Sequence, residues 1–328
     1  MAVASLALAS LGGGAALAQD ASRWVSPISP SQSILLYPKG QKVDEGIVEG
    51  GIAITKGPLE DNGYSSQTVW ANDRGGCGEV GDDACMDLYF PSVPNGLAVV
   101  VCPGGGYEYV SMFNEGACAA DYLVRKGVTV CVVKYRMPDG HYRIPLRDVQ
   151  NALGYCRHHS AEWKVEKIGV MGFSAGGHLA ACASTMFEDD KTRPDFSILM
   201  YPVISMVEGI THVGTHEHLL GGSISDLTTE HSSLVEYYSC QNRVSGKTPV
   251  TFLALSSDDG LVPPENSLLY YKALIASGVK AQMHIYPAGG HGWGFRREPY
   301  GIDTLGRHYR EVFEMELDRF LEDVRTSK

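Results

Sequence analysis

Three residue types far apart in the chain could together cleave an acyl bond: a serine in Gly172-Phe173-Ser174-Ala175-Gly176, acids at Asp258 and Asp259, and a histidine in Gly289-Gly290-His291-Gly292-Trp293. A serine hydroxyl is a weak nucleophile until a neighbouring imidazole takes its proton, and that imidazole needs a carboxylate to fix its tautomer. The order Ser, Asp, His along the chain suits a serine placed on a turn between a strand and a helix, with the other two on later loops. Asp259 is the expected orienting acid and Asp258 the expected turn or capping acid. The tetrahedral intermediate also needs donors for its oxyanion. Cys102-Pro103-Gly104-Gly105-Gly106-Tyr107 offers backbone N–H groups free of side-chain obstruction, so the amides of Gly105, Gly106 and Ala175 are the expected hole.

Those residues must be held by elements, and the hydrophobic pattern supplies them. From Gly96 onward short apolar runs alternate with helix-period segments, as in a parallel sheet covered by helices on both faces, the α/β class. Strands are expected at 97–102, 128–134, 167–171, 196–201, 249–255 and 281–286, with an edge strand before Pro91. Helices are expected at 117–126, 146–158, 175–186, 265–277 and 304–324. Ser174 then sits where a strand turns into a helix, which is the context a strained nucleophile turn requires. Residues 19–93 read as N-terminal strands and loops on the same domain, and 203–248 as an irregular insertion on the substrate side, so 19–328 is expected to form one domain.

The remaining histidines and aromatic residues receive plainer readings. His178 lies one helical turn beyond Ser174 and is expected to be structural. His212, His216 and His218 cluster without a predicted strand or helix to fix a coordination geometry, so no metal is expected, and the serine chemistry needs no cofactor. Tyr107, Tyr109 and Trp293 are the expected substrate-binding rings, with Phe295 also beside the base, and Phe113 is read as core. Arg147 and Asp148 read as a helix-start cap and ion pair.

Composition narrows the partners. The chain of 328 residues carries 27 Lys and Arg against 38 Asp and Glu, a net charge of −11, with no basic run. A nucleic-acid partner is therefore not expected, and no body segment is apolar enough to span a bilayer. Met1–Ala18 is uncharged and apolar and ends in Ala16-Leu17-Ala18, which resembles the core and cleavage site of an export signal, although Lys or Arg is missing from its start. An exported protein is expected. Cys102, Cys118, Cys131, Cys156 and Cys182 lie in apolar runs and read as buried thiols, whereas Cys77 and Cys85 bracket a polar loop that a disulfide could staple. Oligomeric state is not readable.

PGGGY (103–107), KYRMP (134–138), GVMGFSAGGHLA (169–180), MYPVISM (200–206), DDGLVPPENS (258–267) and HIYPAGGHGWG (284–294) resemble the alpha/beta-hydrolase superfamily, in its esterase and lipase group. They look most like bacterial esterases that remove acetyl or feruloyl groups from xylan. The resemblance implies an alpha/beta-hydrolase fold and a serine carboxylesterase acting on acylated plant polysaccharide or its oligosaccharides. Pro103 stands where the loop of many lipases has a bracing histidine. Two alternatives share the scaffold: a serine exopeptidase of the prolyl-oligopeptidase type, and a non-catalytic carbohydrate-binding protein on a hydrolase fold. The intact serine, acid, histidine and glycine set opposes the second.

Overall fold

The computed structural model describes residues 27–37, 84–297 and 303–327, together with the backbone of short strands at 47–48, 52–53, 69–72 and 76–79. The export-signal expectation at 1–18 and the side chain of Cys77, one end of a Cys77–Cys85 bridge, lie outside the described residues.

The N-terminal part contributes β1 (Gln32–Leu35), β2 (Ile47–Val48), β3 (Ile52–Ala53), β4 (Val69–Asn72) and β5 (Gly76–Glu79). β6 (Cys85–Tyr89) and β7 (Leu97–Cys102) enter the main sheet, and β8 (Val110–Ser111) pairs with β4 outside it. Next come α1 (Cys118–Arg125), β9 (Thr129–Lys134), α2 (Ile144–Trp163), β10 (Lys167–Phe173), α3 (Ser174–Thr185) and β11 (Phe196–Met200). After α4 (Val213–Leu220) and α5 (Thr229–Tyr238), the chain closes with β12 (Val250–Ser256), α6 (Glu265–Ala276), β13 (Ala281–Tyr286) and α7 (Arg307–Thr326). The eight-stranded sheet has the order β1-β6-β9-β7-β10-β11-β12-β13. β1–β6 and β6–β9 pair antiparallel, and every pairing from β9 to β13 is parallel.

Helix cover on both faces explains why the central strands lack alternation: every residue of β7, LAVVVC, is buried, as in strands of a parallel sheet. α7 lays Phe313 and Phe320 against Phe252 of β12, the latter ring at 5.4 Å. One helix differs from expectation for local reasons. α2 begins at Ile144 because Pro145 sits in the first turn, where its missing N–H sacrifices no hydrogen bond, and it ends at Lys164 with φ 56°. Asp148 does not cap α2, and its ion pair is made with Arg136. Fully buried, it accepts from the Arg136 guanidinium and backbone N–H and from the Tyr37 hydroxyl, tying the KYRMP segment to α2.

The expected irregularity of 203–248 is also corrected. Side-chain caps start two helices there, the His212 ring accepting from Thr215 N–H and the Thr228 hydroxyl from His231 N–H. Their hydrophobic period is weak, since α5 is mostly solvent-facing and the buried face of α4 includes the polar Thr215 and His216, so a periodicity reading passes over them. No helix among the described residues is long and apolar enough to cross a membrane.

Candidate active site

Strand register brings the dispersed motifs to one edge of the sheet. β10 pairs with β7 so that Gly172 faces Cys102, and the chain leaves β7 into the glycine loop one residue later, beside the turn that carries Ser174. On the other side Ser256 pairs with Tyr286, so the loops holding Asp259 and His291 leave β12 and β13 at the same edge. The C-terminal edge of a parallel sheet is where such folds bind ligands.

The turn at Ser174 is as tight as its sequence predicts. Ser174 has φ 53°, a left-handed conformation rare for a side chain with a Cβ, and it persists because its surroundings hold it. A Cβ on Gly172 would lie 2.1 Å from the Gly176 carbonyl oxygen, and one on Gly176 would lie 2.1 Å from that of Cys102. Both glycines are therefore required by close backbone approach. Ser174 opens α3, so Ala175 N–H lies in the first helical turn, at the positive end of the helix dipole.

His291 Nε2 lies 2.8 Å from Ser174 Oγ, and Nδ1 lies 2.7 Å from Asp259 Oδ2. An ionised carboxylate only accepts, so Nδ1 carries the proton and Nε2 is left to take the serine proton. Asp259 Oδ1 accepts from the N–H groups of Leu261 and Val262, both at 2.9 Å. Burial opposes its charge, yet the His291 hydrogen bond and these amides hold the Asp259 carboxyl below its ordinary value. Asp258, expected as a turn or capping acid, instead accepts from Gly290 N–H at 2.8 Å and ties its loop to the histidine loop.

A cleft of about 410 Å³ opens over Ser174 and His291. Gly105, Gly106 and Tyr109 line it, as expected, together with Glu108, Asn114, Glu115, His212, Leu261 and Arg296, which sequence reasoning did not assign to substrate. Sequence reasoning considers His212 only as a metal ligand. Burial, then the neighbouring His291 and His218, lower its pKa and favour the neutral ring. The three histidines diverge: His212 caps α4, buried His216 bonds the Met206 carbonyl and His231, and His218 Nδ1 donates to the Gly106 carbonyl at 2.9 Å.

Two of the expected substrate rings belong elsewhere. Tyr107 is only 2% exposed, and its hydroxyl donates to His178 Nδ1 at 3.0 Å beneath the glycine loop. Trp293 is 3% exposed, packed edge-on against Tyr201 and Phe313 with the Arg310 guanidinium over its ring. The glycines beside Trp293 place the base, and the ring turns inward because burying an indole outweighs leaving it in water. Phe295 is likewise core, as is Phe113. His178 has the expected structural role, its Nε2–H donating to the Tyr238 carbonyl at 2.8 Å.

With the elbow, the base and the glycine loop assembled on this sheet, comparison with known proteins becomes decisive. The sequence profile of the alpha/beta hydrolase fold family matches residues 99–295, more than half of the chain. The chain belongs to the alpha/beta hydrolase family. It is 40% identical over 216 residues to an acetylxylan esterase from Xylanibacter ruminicola, covering 65% of this chain and 44% of that protein. It is 30% identical over 227 residues to endo-1,4-beta-xylanase B of Butyrivibrio fibrisolvens, covering 64% of this chain and 34% of the relative. The chain thus spans less than half the length of either relative. Among solved structures, an acetyl ester-xyloside bifunctional hydrolase from Caldicellulosiruptor lactoaceticus superposes with a TM-score of 0.67 at 29% identity, over 92% of this chain and 98% of that one.

Proposed function

We infer that this alpha/beta hydrolase is a serine carboxylesterase that removes short acyl groups, acetyl foremost and feruloyl as the bulkier case, from xylan or xylo-oligosaccharides. The observation that carries the reading is the unbroken hydrogen-bonded line from Asp259 through His291 to Ser174 at the floor of an open cleft. In this reading Ser174 Oγ attacks the ester carbonyl as His291 Nε2 takes its proton. The N–H groups of Gly105, Gly106 and Ala175 receive the oxyanion. Collapse expels the sugar hydroxyl with the proton that His291 returns, and water activated by the same imidazole then releases the acid. Xylan-type substrate is supported by the 40% identity to an acetylxylan esterase and by the fold likeness to the acetyl ester-xyloside hydrolase. Exposed Tyr109, at the rim of the cleft, supplies a ring on which a sugar face can lie.

Three measurements test this. A fluorophosphonate probe is expected to label Ser174 and not Ser174→Ala, and unlabelled wild type would sink the mechanism. Acetate and ferulate release from defined acylated xylo-oligosaccharides reads the substrate. Turnover of peptide anilides without ester turnover would replace the esterase by a peptidase.

A further inference from the structure

Between the glycine loop and α1 the chain forms a π-helical turn, Met112–Ala117. Such turns replace regular helical hydrogen bonds and recur at functional sites. Here the turn presents two successive polar side chains, Asn114 and Glu115, to the cleft, although both residues are at least 95% buried. Asn114 straps the histidine loop: its Nδ2 donates to the Gly292 carbonyl at 2.9 Å and its Oδ1 accepts from Arg296 N–H at 2.8 Å. Glu115 reaches the glycine loop directly and the histidine loop through Tyr201. Its Oε2 accepts from Gly104 N–H at 2.6 Å, while Oε1 accepts from the Tyr201 hydroxyl at 2.8 Å. The Tyr201 oxygen in turn accepts from Gly294 N–H at 2.9 Å, and the Tyr201 ring stands edge-on to His291 at 5.0 Å.

A carboxylate buried this deeply is tolerated only when its lone pairs are filled, and the fillers here tie it directly to the glycine loop and, through the Tyr201 hydroxyl, to the histidine loop. The contact with Gly104 also has no slack. A Cβ there would lie 2.8 Å from Glu115 Oε2 and 2.9 Å from Ser174 Cβ, so the carboxylate, the glycine loop and the serine meet at one point. Because Gly104 N–H is taken by Glu115, its peptide is pinned, and the next two N–H groups, of Gly105 and Gly106, are left for the oxyanion. Pro103 cannot provide a side-chain brace of the kind a histidine gives, and Tyr135 and His218 hold only the carbonyls of Pro103 and Gly106.

We propose that Glu115 is a positioning residue for ester hydrolysis, holding the oxyanion loop through Gly104 and the base loop through Tyr201 and Gly294. The proposal rests on the serine-esterase reading above, with Ser174 as nucleophile and Gly105 and Gly106 as oxyanion donors. It acts on the transition state, because a misaligned N–H weakens its bond to the developing oxyanion more than it disturbs the bound ester.

The test compares Glu115→Ala, Glu115→Gln, Tyr201→Phe and Ser174→Ala on 4-nitrophenyl acetate, with sites counted by fluorophosphonate end-point labelling and melting temperatures recorded. For Glu115→Ala, kcat/KM is expected to fall about 100-fold with KM within about threefold of wild type, the scale of losing an oxyanion donor. Affinity for an alkyl trifluoromethyl ketone, which forms a tetrahedral adduct with the serine, is expected to fall in step. Glu115→Gln keeps an acceptor for Gly104 but turns a donor toward Tyr201, so a loss of about tenfold is expected, with Tyr201→Phe similar. A lower melting temperature with kcat per labelled site and ketone affinity unchanged would make Glu115 merely structural and overturn the proposal. If Glu115→Ala does not fold, wild-type kcat/KM and ketone affinity in both Glu115→Gln and Tyr201→Phe overturn it equally. An active Ser174→Ala would instead overturn the parent reading, independently of Glu115.

Discussion

At the scale of single residues, the site separates acids and histidines of similar sequence into different tasks by where their hydrogen bonds go. Asp259 faces His291 and two backbone amides, whereas Asp258 faces the Gly290 N–H. Asp259→Asn is therefore expected to lower kcat by about 10⁴-fold by favouring the wrong imidazole tautomer, while Asp258→Asn is expected to cost less than about tenfold. Steady-state kinetics of the pair decide it, and a reversed ranking would move the orienting role to Asp258. Ser174→Ala and His291→Ala are each expected to lose about 10³-fold or more in kcat with melting temperature nearly unchanged. The depressed Asp259 carboxyl also has a stability consequence. Its folded pKa lies below the ordinary 3.8, so its contribution is complete above that value and is lost as pH falls through the lower folded value. Acid unfolding monitored by circular dichroism is expected to be shallower below about pH 4 in Asp259→Asn than in wild type. Equal slopes would show that the carboxyl does not titrate differently on folding.

At the scale of elements, the strand-turn-helix unit of β10 and α3 is limited by backbone contact. Adding one methyl group at Gly172 or Gly176 would require the neighbouring chain to move, because the obstructing atoms are carbonyl oxygens at 2.1 Å. Gly172→Ala and Gly176→Ala are expected to give insoluble protein or a stability loss above about 3 kcal/mol, measured by denaturant unfolding. A wild-type midpoint in either variant would mean that the turn relaxes more readily than its geometry implies. α5 offers a milder case: Thr228 caps its first turn, and Thr228→Ala is expected to cost about 1 kcal/mol.

At the scale of the whole molecule, the inward rotation of Trp293 changes what its removal should do. Trp293→Ala empties a site shared with Tyr201, Tyr286 and Phe313, so it is expected to destabilise the fold by about 3–5 kcal/mol and to impair aryl and sugar esters alike. Tyr109→Ala, at the exposed rim, is the change expected to impair xylo-oligosaccharide esters more than 4-nitrophenyl acetate. Comparing kcat/KM on the two substrates in each variant checks both expectations. An equal effect of Tyr109→Ala on both would remove it from sugar recognition. Acyl preference belongs to the same scale: a cleft of about 410 Å³ shared with the sugar is expected to favour acetyl over octanoyl esters. A chain-length series rising toward long acyl groups would point to a lipase.

Much of this site was legible before any coordinate, because its chemistry is written in local rules. A serine between glycines after an apolar strand, an acid and a histidine after later strands, and a glycine run after the first strong strand each carry their own constraint, and parallel-sheet topology sends them all to one edge. Sequence alone could not assign Tyr107, Trp293, Glu115 or the pairing of Asp148 with Arg136. Whether a ring faces a cleft or a core depends on a rotation that spacing from the base does not encode. Glu115 is an unremarkable acid in MFNEGA, and it becomes a strap only because tertiary packing carries Gly104 and Tyr201, respectively 11 and 86 residues away, to its two oxygens. Local spacing determines which groups can react; contacts between distant segments decide how those groups are aimed, since aim is a property of the packed surroundings.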